Sequence, residues 1–83
     1  MIYAIIWTLS AARTLRDFRE RDPEGAGELR AAIETLAADP RPDDSSPYGP
    51  AYRRLRVGRY RVMYRIEEKE ISVIVLNLAR STP

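Results

Sequence analysis

Polar and apolar positions alternate most regularly at residues 53–64, R-R-L-R-V-G-R-Y-R-V-M-Y, where two period-two runs flank Gly58-Arg59. Two such runs joined by a two-residue turn predict a β-hairpin, and the turn sets the register. With Val57 opposite Tyr60, Leu55 faces Val62 and Arg53 faces Tyr64 on one side, while Arg56 faces Arg61 and Arg54 faces Met63 on the other. One face is then mainly apolar and the other carries arginines.

Upstream, residues 2–8 place Tyr3, Ile5 and Trp7 on one alternating set and Ile2, Ala4 and Ile6 on the other. Both sets are apolar, which predicts a strand buried on both faces. A helical period follows: Ser10 is the expected N-cap, and Ala11, Leu15 and Phe18 form a stripe that ends near Arg21. Asp22-Pro23 restarts the pattern, with Asp22 as N-cap, Pro23 at the first helical position and Ala26, Leu29, Ile33 and Leu36 as the stripe. The two helices read as a hairpin whose apolar side is covered by the sheet face bearing Leu55, Val57, Tyr60, Val62 and Tyr64. Residues 39–50, D-P-R-P-D-D-S-S-P-Y-G-P, contain four prolines and almost nothing apolar, and so predict a mobile connecting loop. Residues 67–70 form a charged turn, and the apolar run 71–78 makes a second hairpin with a central strand. With Ile66 opposite Ile71, Ser72, Ile74, Leu76, Leu78 and Arg80 fall on the arginine face.

The pattern thus predicts one α+β domain over residues 1–83: an N-terminal strand, a helical hairpin and an antiparallel β-meander, with the helices on one sheet face. A chain of 83 residues is near the lower limit for a core without staples. It has no Cys and no His, so disulfides, thiolate metal sites and Ser-His chemistry are not expected. No stretch has the length or flanks of a signal peptide or membrane span, which predicts a cytoplasmic location.

Charge changes the picture more. The net charge is +2, but residues 1–50 hold 6 Arg against 9 acidic residues, a balance of −3, while residues 51–83 hold 7 Arg and one Lys against 3 Glu, a balance of +5. This segregation points to a polyanionic partner. Arg56 opposite Arg61 costs the sheet roughly 0.2–1 kcal/mol. Either the arginines splay apart on a solvated face, or they form an anion site in which guanidinium forks meet phosphate oxygens.

The order of elements, the phrase Leu55-Arg56-Val57-Gly58-Arg59-Tyr60-Arg61-Val62-Met63-Tyr64, the helix motif Ser10-Ala11-Ala12-Arg13 and the phrase Leu36-Ala37-Ala38-Asp39-Pro40 resemble the RelE/ParE superfamily of toxins from type II toxin-antitoxin systems. The resemblance covers nearly the whole chain and implies a RelE-like microbial RNase fold. In the RelE branch it implies a ribosome-dependent, metal-independent mRNA endoribonuclease that inhibits translation by directing the ribose 2′-hydroxyl at the adjacent phosphate, with no cofactor. Matched by position, Arg61 is the expected phosphate and transition-state clamp, Arg54 neutralises the scissile phosphate, and Arg80 is a third candidate. Arg56 is implied to contact RNA or to serve a structural ion pair or stack; Tyr52 and Tyr48 are candidates for stacking on bases. The implied partners are a cognate antitoxin, the ribosome and mRNA, with a homodimer or a toxin-antitoxin heterotetramer as assemblies.

Two departures weaken the expected catalysis. Tyr52 stands where strongly cleaving members have Lys, and the family's basic and tyrosine-bearing ending is represented only by Ala79-Arg80-Ser81-Thr82-Pro83. Arg80 aligns with the family arginine only through a one-residue slip. The alternatives are a ParE-type inhibitor of DNA gyrase and a degenerate toxin that only binds antitoxin.

Overall fold

In the computed structural model, which describes residues 1–81, the chain forms β1 (Ala4–Trp7), α1 (Leu9–Arg21), α2 (Pro23–Thr35), β2 (Ser45–Pro47), β3 (Tyr52–Val57), β4 (Tyr60–Glu67) and β5 (Ser72–Arg80). The strands make one sheet in the order β1-β5-β4-β3-β2, antiparallel except for β1 alongside β5. The predicted α+β architecture is therefore present, with both helices on one face of a mixed sheet.

Alternation dictates the core. Leu55 from β3, Tyr60, Val62, Tyr64 and Ile66 from β4, and Val73, Val75 and Leu78 from β5 are buried against Ala11, Leu15, Ala26, Leu29, Ile33 and Leu36. Phe18 sits at the margin with its ring centroid 4.9 Å from that of Tyr60. Between the helices, the Asp22 carboxylate accepts from Gly25 N–H at 3.1 Å and from the Tyr60 hydroxyl at 2.8 Å. A Cβ at residue 25 would run into that carboxylate, so glycine here lets one side chain cap α2 and tie it to the sheet.

The β3–β4 register is the predicted one, from Val57 opposite Tyr60 to Arg54 opposite Met63. Gly58 takes φ +58°, the left-handed region that a tight hairpin turn requires and that glycine enters without steric penalty.

Four expectations are corrected. The first strand lies at a sheet edge and is covered on one face only: Ile6 is 48% exposed and Ile2 71%. Its composition is that of a buried strand, but the helices cover only the side bearing Tyr3, Ile5 and Trp7. The N-cap of α1 is Thr8 rather than Ser10, because the Thr8 hydroxyl both accepts from Ala11 N–H (3.1 Å) and donates to the Leu76 carbonyl (3.3 Å), linking cap and sheet. The segment expected to be only a loop contains β2, with Ser45 opposite Leu55 and Ser46 opposite Arg54. Arg53 secures it by donating from Nε to Ser45 Oγ (3.0 Å) and from Nη2 to Ser45 O (3.3 Å).

The second hairpin is the fourth correction. Ile66 pairs with Val73 rather than Ile71, and a register shift between Met63 and Tyr64 then brings Val62 opposite Leu78, Arg61 opposite Ala79 and Tyr60 opposite Arg80. An extra residue on one strand exchanges the faces of everything beyond it. Leu78 is consequently buried in the core, and Arg80 falls on the helix-facing side of the sheet.

Candidate nucleic-acid interface

The helix-free face of the sheet carries the candidate site, arranged in rows across the strands. Ser46 on β2, Arg54 on β3, Met63 on β4 and Asn77 on β5 form one row. In the next, Arg56, Arg61 and Ala79 are successive partners, and Arg56 N–H donates to Asp44 O at 3.2 Å, so Asp44 extends the row at its β2 end. A cavity of about 440 Å³ lies over these rows, lined by Asp43, Asp44, Ser45, Ser46, Arg54, Arg56 and Arg61. A second hollow of about 220 Å³ shares Arg54 and Arg61 and adds Tyr48, Met63, Asn77 and Ala79.

The arginines are positioned without being neutralised. Ion pairs among the described residues join Arg30 to Glu34, Arg41 to Glu68 and Arg65 to Glu67, and none includes Arg54, Arg56 or Arg61. Arg54 instead lies over the Tyr48 ring, its Cζ 4.8 Å from the centroid, and its Nε is buried with no hydrogen-bond acceptor among the described residues. Cation–π contact orients a guanidinium while leaving its charge and outer N–H groups for an anion. Three guanidiniums on a rigid sheet, beside Ser46 in the row of Arg54, suit a phosphate.

Arg54, Arg56, Arg61 and Tyr48 are thus brought together. Tyr52 lies one row away, opposite Arg65, and lines neither cavity. Arg80, expected in the basic cluster, is on the opposite face beside Tyr60 and Asp22, where its charge helps to lower the carboxyl's pKa. The larger lowering of the Asp22 pKa comes from the Tyr60 hydroxyl, and burial is the main cause of the raised pKa of Tyr60. Of the family-like ending, Thr82 and Pro83 lie outside the described residues. Sequence reasoning missed Asp43, Asp44, Ser46 and Asn77. The first three sit among prolines in a segment with no readable period, and Asn77 reaches this face only through the bulge.

Two helices packed on one face of a five-stranded mixed sheet is the arrangement of RelE-like folds. Residues 5–81 match the family described as the ParE toxin of type II toxin-antitoxin system, parDE, and the chain belongs to that family. Among solved structures, the toxin-antitoxin complex RelBE2 from Mycobacterium tuberculosis matches at 24% identity over 96% of this chain and 99% of that one, with TM-score 0.76. The YoeB/ParE toxin from Agrobacterium tumefaciens matches at 16% identity, covering 95% and 99%, with TM-score 0.80. The archaeal RelE-RelB complex from Pyrococcus horikoshii OT3 matches at 18%, covering 96% of each chain, with TM-score 0.77. Identities at this level carry the fold. No curated protein sequence is a significant match.

Proposed function

We propose that this toxin is a ribosome-dependent mRNA endoribonuclease of the bacterial translation machinery's cytoplasmic compartment, using metal-independent 2′-hydroxyl chemistry. The observation that supports it is the set of three guanidiniums, Arg54, Arg56 and Arg61, around one cavity with no carboxylate ion pair among the described residues. Arg61 and Arg54 clamp the scissile phosphate and the charge that grows on it, Arg56 holds a neighbouring phosphate, and Tyr48 offers its ring to a base. Tyr52, one row out, takes a more distant nucleotide. Arg80 has no part in the clamp. The M. tuberculosis and P. horikoshii structures are toxin-antitoxin and RelE-RelB complexes, and a cognate antitoxin of this chain, bearing an acidic segment, covers the basic face and silences it.

Controlled expression in a bacterial host tests the reading. Growth should arrest with new 5′ ends on translated messages, and Arg61→Ala, at equal expression and stability, should remove both effects. Arrest with intact messages counts against it.

The family match favours a second reading, binding and inhibition of DNA gyrase. Loss of supercoiling by purified gyrase, with cell-free translation unaffected, is the outcome that selects this reading over the nuclease.

A further inference from the structure

General base catalysis at the basic face has no obvious source in the arginines. A guanidinium stays protonated at neutral pH and a phenol holds its proton to about pH 10, so neither readily takes a proton from a ribose hydroxyl. Carboxylates as a class do accept one. The cavity that holds Arg54, Arg56 and Arg61 is also lined by Asp43 and Asp44. We infer that Asp44 is the general base of the RNA cleavage proposed above, a role that rests on that reading.

Placement separates Asp44 from its neighbour. The β2–β3 register ends at Ser45–Leu55, and just beyond it the Arg56 N–H bond to Asp44 O at 3.2 Å holds Asp44 beside Arg56. Asp44 lines the same cavity as Ser46, Arg54, Arg56 and Arg61. The turn beneath it is held by Ser45, whose N–H and hydroxyl both donate to Pro42 O, at 3.0 and 2.7 Å. No side-chain hydrogen bond or ion pair among the described residues engages the Asp44 carboxylate. A carboxylate anchored through its backbone, free at its head and set at the end of an arginine row is placed to meet a nucleotide whose phosphate those arginines hold.

In the step this implies, an Asp44 oxygen takes the 2′-hydroxyl proton as the 2′-oxygen forms a bond to phosphorus. The bond from phosphorus to the 5′-oxygen breaks, Arg54 and Arg61 offset the charge on the phosphoryl oxygens, and the departing 5′-oxygen takes a proton from water. The products are a 2′,3′-cyclic phosphate and a 5′-hydroxyl, and Asp44 returns its proton to solvent. The charged groups facing Asp44 are Asp43 in its own turn, Arg54 and Arg56 on β3 and Arg61 on β4.

The bland alternative is that Asp44 only tempers the arginine charge. Single-turnover cleavage of ribosome-bound mRNA across a range of pH distinguishes the two, with ribosome binding and thermal melting measured on the same samples. Asp44→Asn should lower the rate about 10²-fold or more and remove the acid limb of the pH profile while binding is retained, and Asp44→Glu should restore part of the rate. Asp44→Ser serves the same purpose if the asparagine variant does not fold. An Asp44→Asn enzyme that cleaves as fast as wild type or faster, with the acid limb intact, overturns the assignment and leaves the nuclease reading standing. The acid limb vanishing with Asp43→Asn instead transfers the role and overturns it too. Wild-type toxin that binds ribosomes and cuts nothing overturns the nuclease reading itself, and the base assignment with it.

Discussion

The two faces of the β3–β4 hairpin come from alternate residues of the same two strands, yet they follow opposite rules. On the helix side Leu55, Tyr60, Val62 and Tyr64 are at most 3% exposed and fill a continuous core. On the other side Arg54, Arg56 and Arg61 crowd like charges together and leave them without ion-pair partners among the described residues. The pleat separates the two tasks at each step along the chain. Stability is expected to reside on one face and recognition on the other, with little coupling through the backbone.

The sharpest way to break this separation is to compare neighbours of opposite orientation. Leu55→Ala should lose about 2–5 kcal/mol in urea unfolding because it opens a hole in the buried core. Arg61→Ala should not lower the unfolding midpoint, since it relieves the repulsion from Arg56, while it weakens RNA engagement by about 1.5–3 kcal/mol and flattens its salt dependence. Arg80→Ala, on the other face, should weaken binding far less. Equal losses from Arg61→Ala and Arg80→Ala would show that both faces take part.

Smaller changes sharpen the contrast. The buried Tyr64 hydroxyl donates to the Pro40 carbonyl at 2.7 Å, tying the proline-rich segment to the core. Tyr64→Phe should therefore cost about 1–3 kcal/mol in the same unfolding assay, through a carbonyl left unsatisfied. Arg56→Ala should do the reverse and stabilise by about 0.2–1 kcal/mol, by removing repulsion across the strand pair from Arg61. A destabilised Arg56→Ala would mean that the arginine face contributes to folding.

Asp22 supplies a pH test on the stability side. Its carboxyl is held below the ordinary 3.8, first by the Tyr60 hydroxyl and then by Gly25 N–H. A carboxyl whose pKa is lower folded than unfolded adds stability that is present above the unfolded pKa and disappears as pH falls through the folded one. Below about pH 4, wild type should lose its advantage over Asp22→Asn, measured as converging melting temperatures. Tyr60 works in the opposite sense: burial, then Asp22, raises its pKa, so its contribution is complete below about pH 10 and declines as pH rises beyond.

Much of this protein could be read from residue pattern because the signals were local. The Gly58-Arg59 turn specified the five residue pairs from Val57–Tyr60 to Arg53–Tyr64, since a two-residue connection leaves a single register. Asp22-Pro23 marked the start of α2 because a side-chain acceptor and a fixed φ act on the next turn of chain. The arginine face followed from alternation alone.

Tertiary structure decided what depends on distant neighbours. An apolar strand such as β1 reads alike whether one face is covered or two, and only its position beside β5 left Ile6 in solvent. Ser45–Pro47 has no strand signal of its own, and becomes β2 because β3 offers it a free edge and Arg53 a clasp. The bulge between Met63 and Tyr64 is likewise invisible in the apolar run of β5, where either register buries hydrophobic residues. One residue of slip nevertheless sent Arg80 to the helix side and put Asn77 and Ala79 beside Arg61. Local chemistry thus determined the turn, the start of α2 and the charge of the β3–β4 face. The composition of the site, including Asp44 at the end of the arginine row, was set by which strand edges meet, because pairing across a sheet is a long-range choice that alternation leaves open.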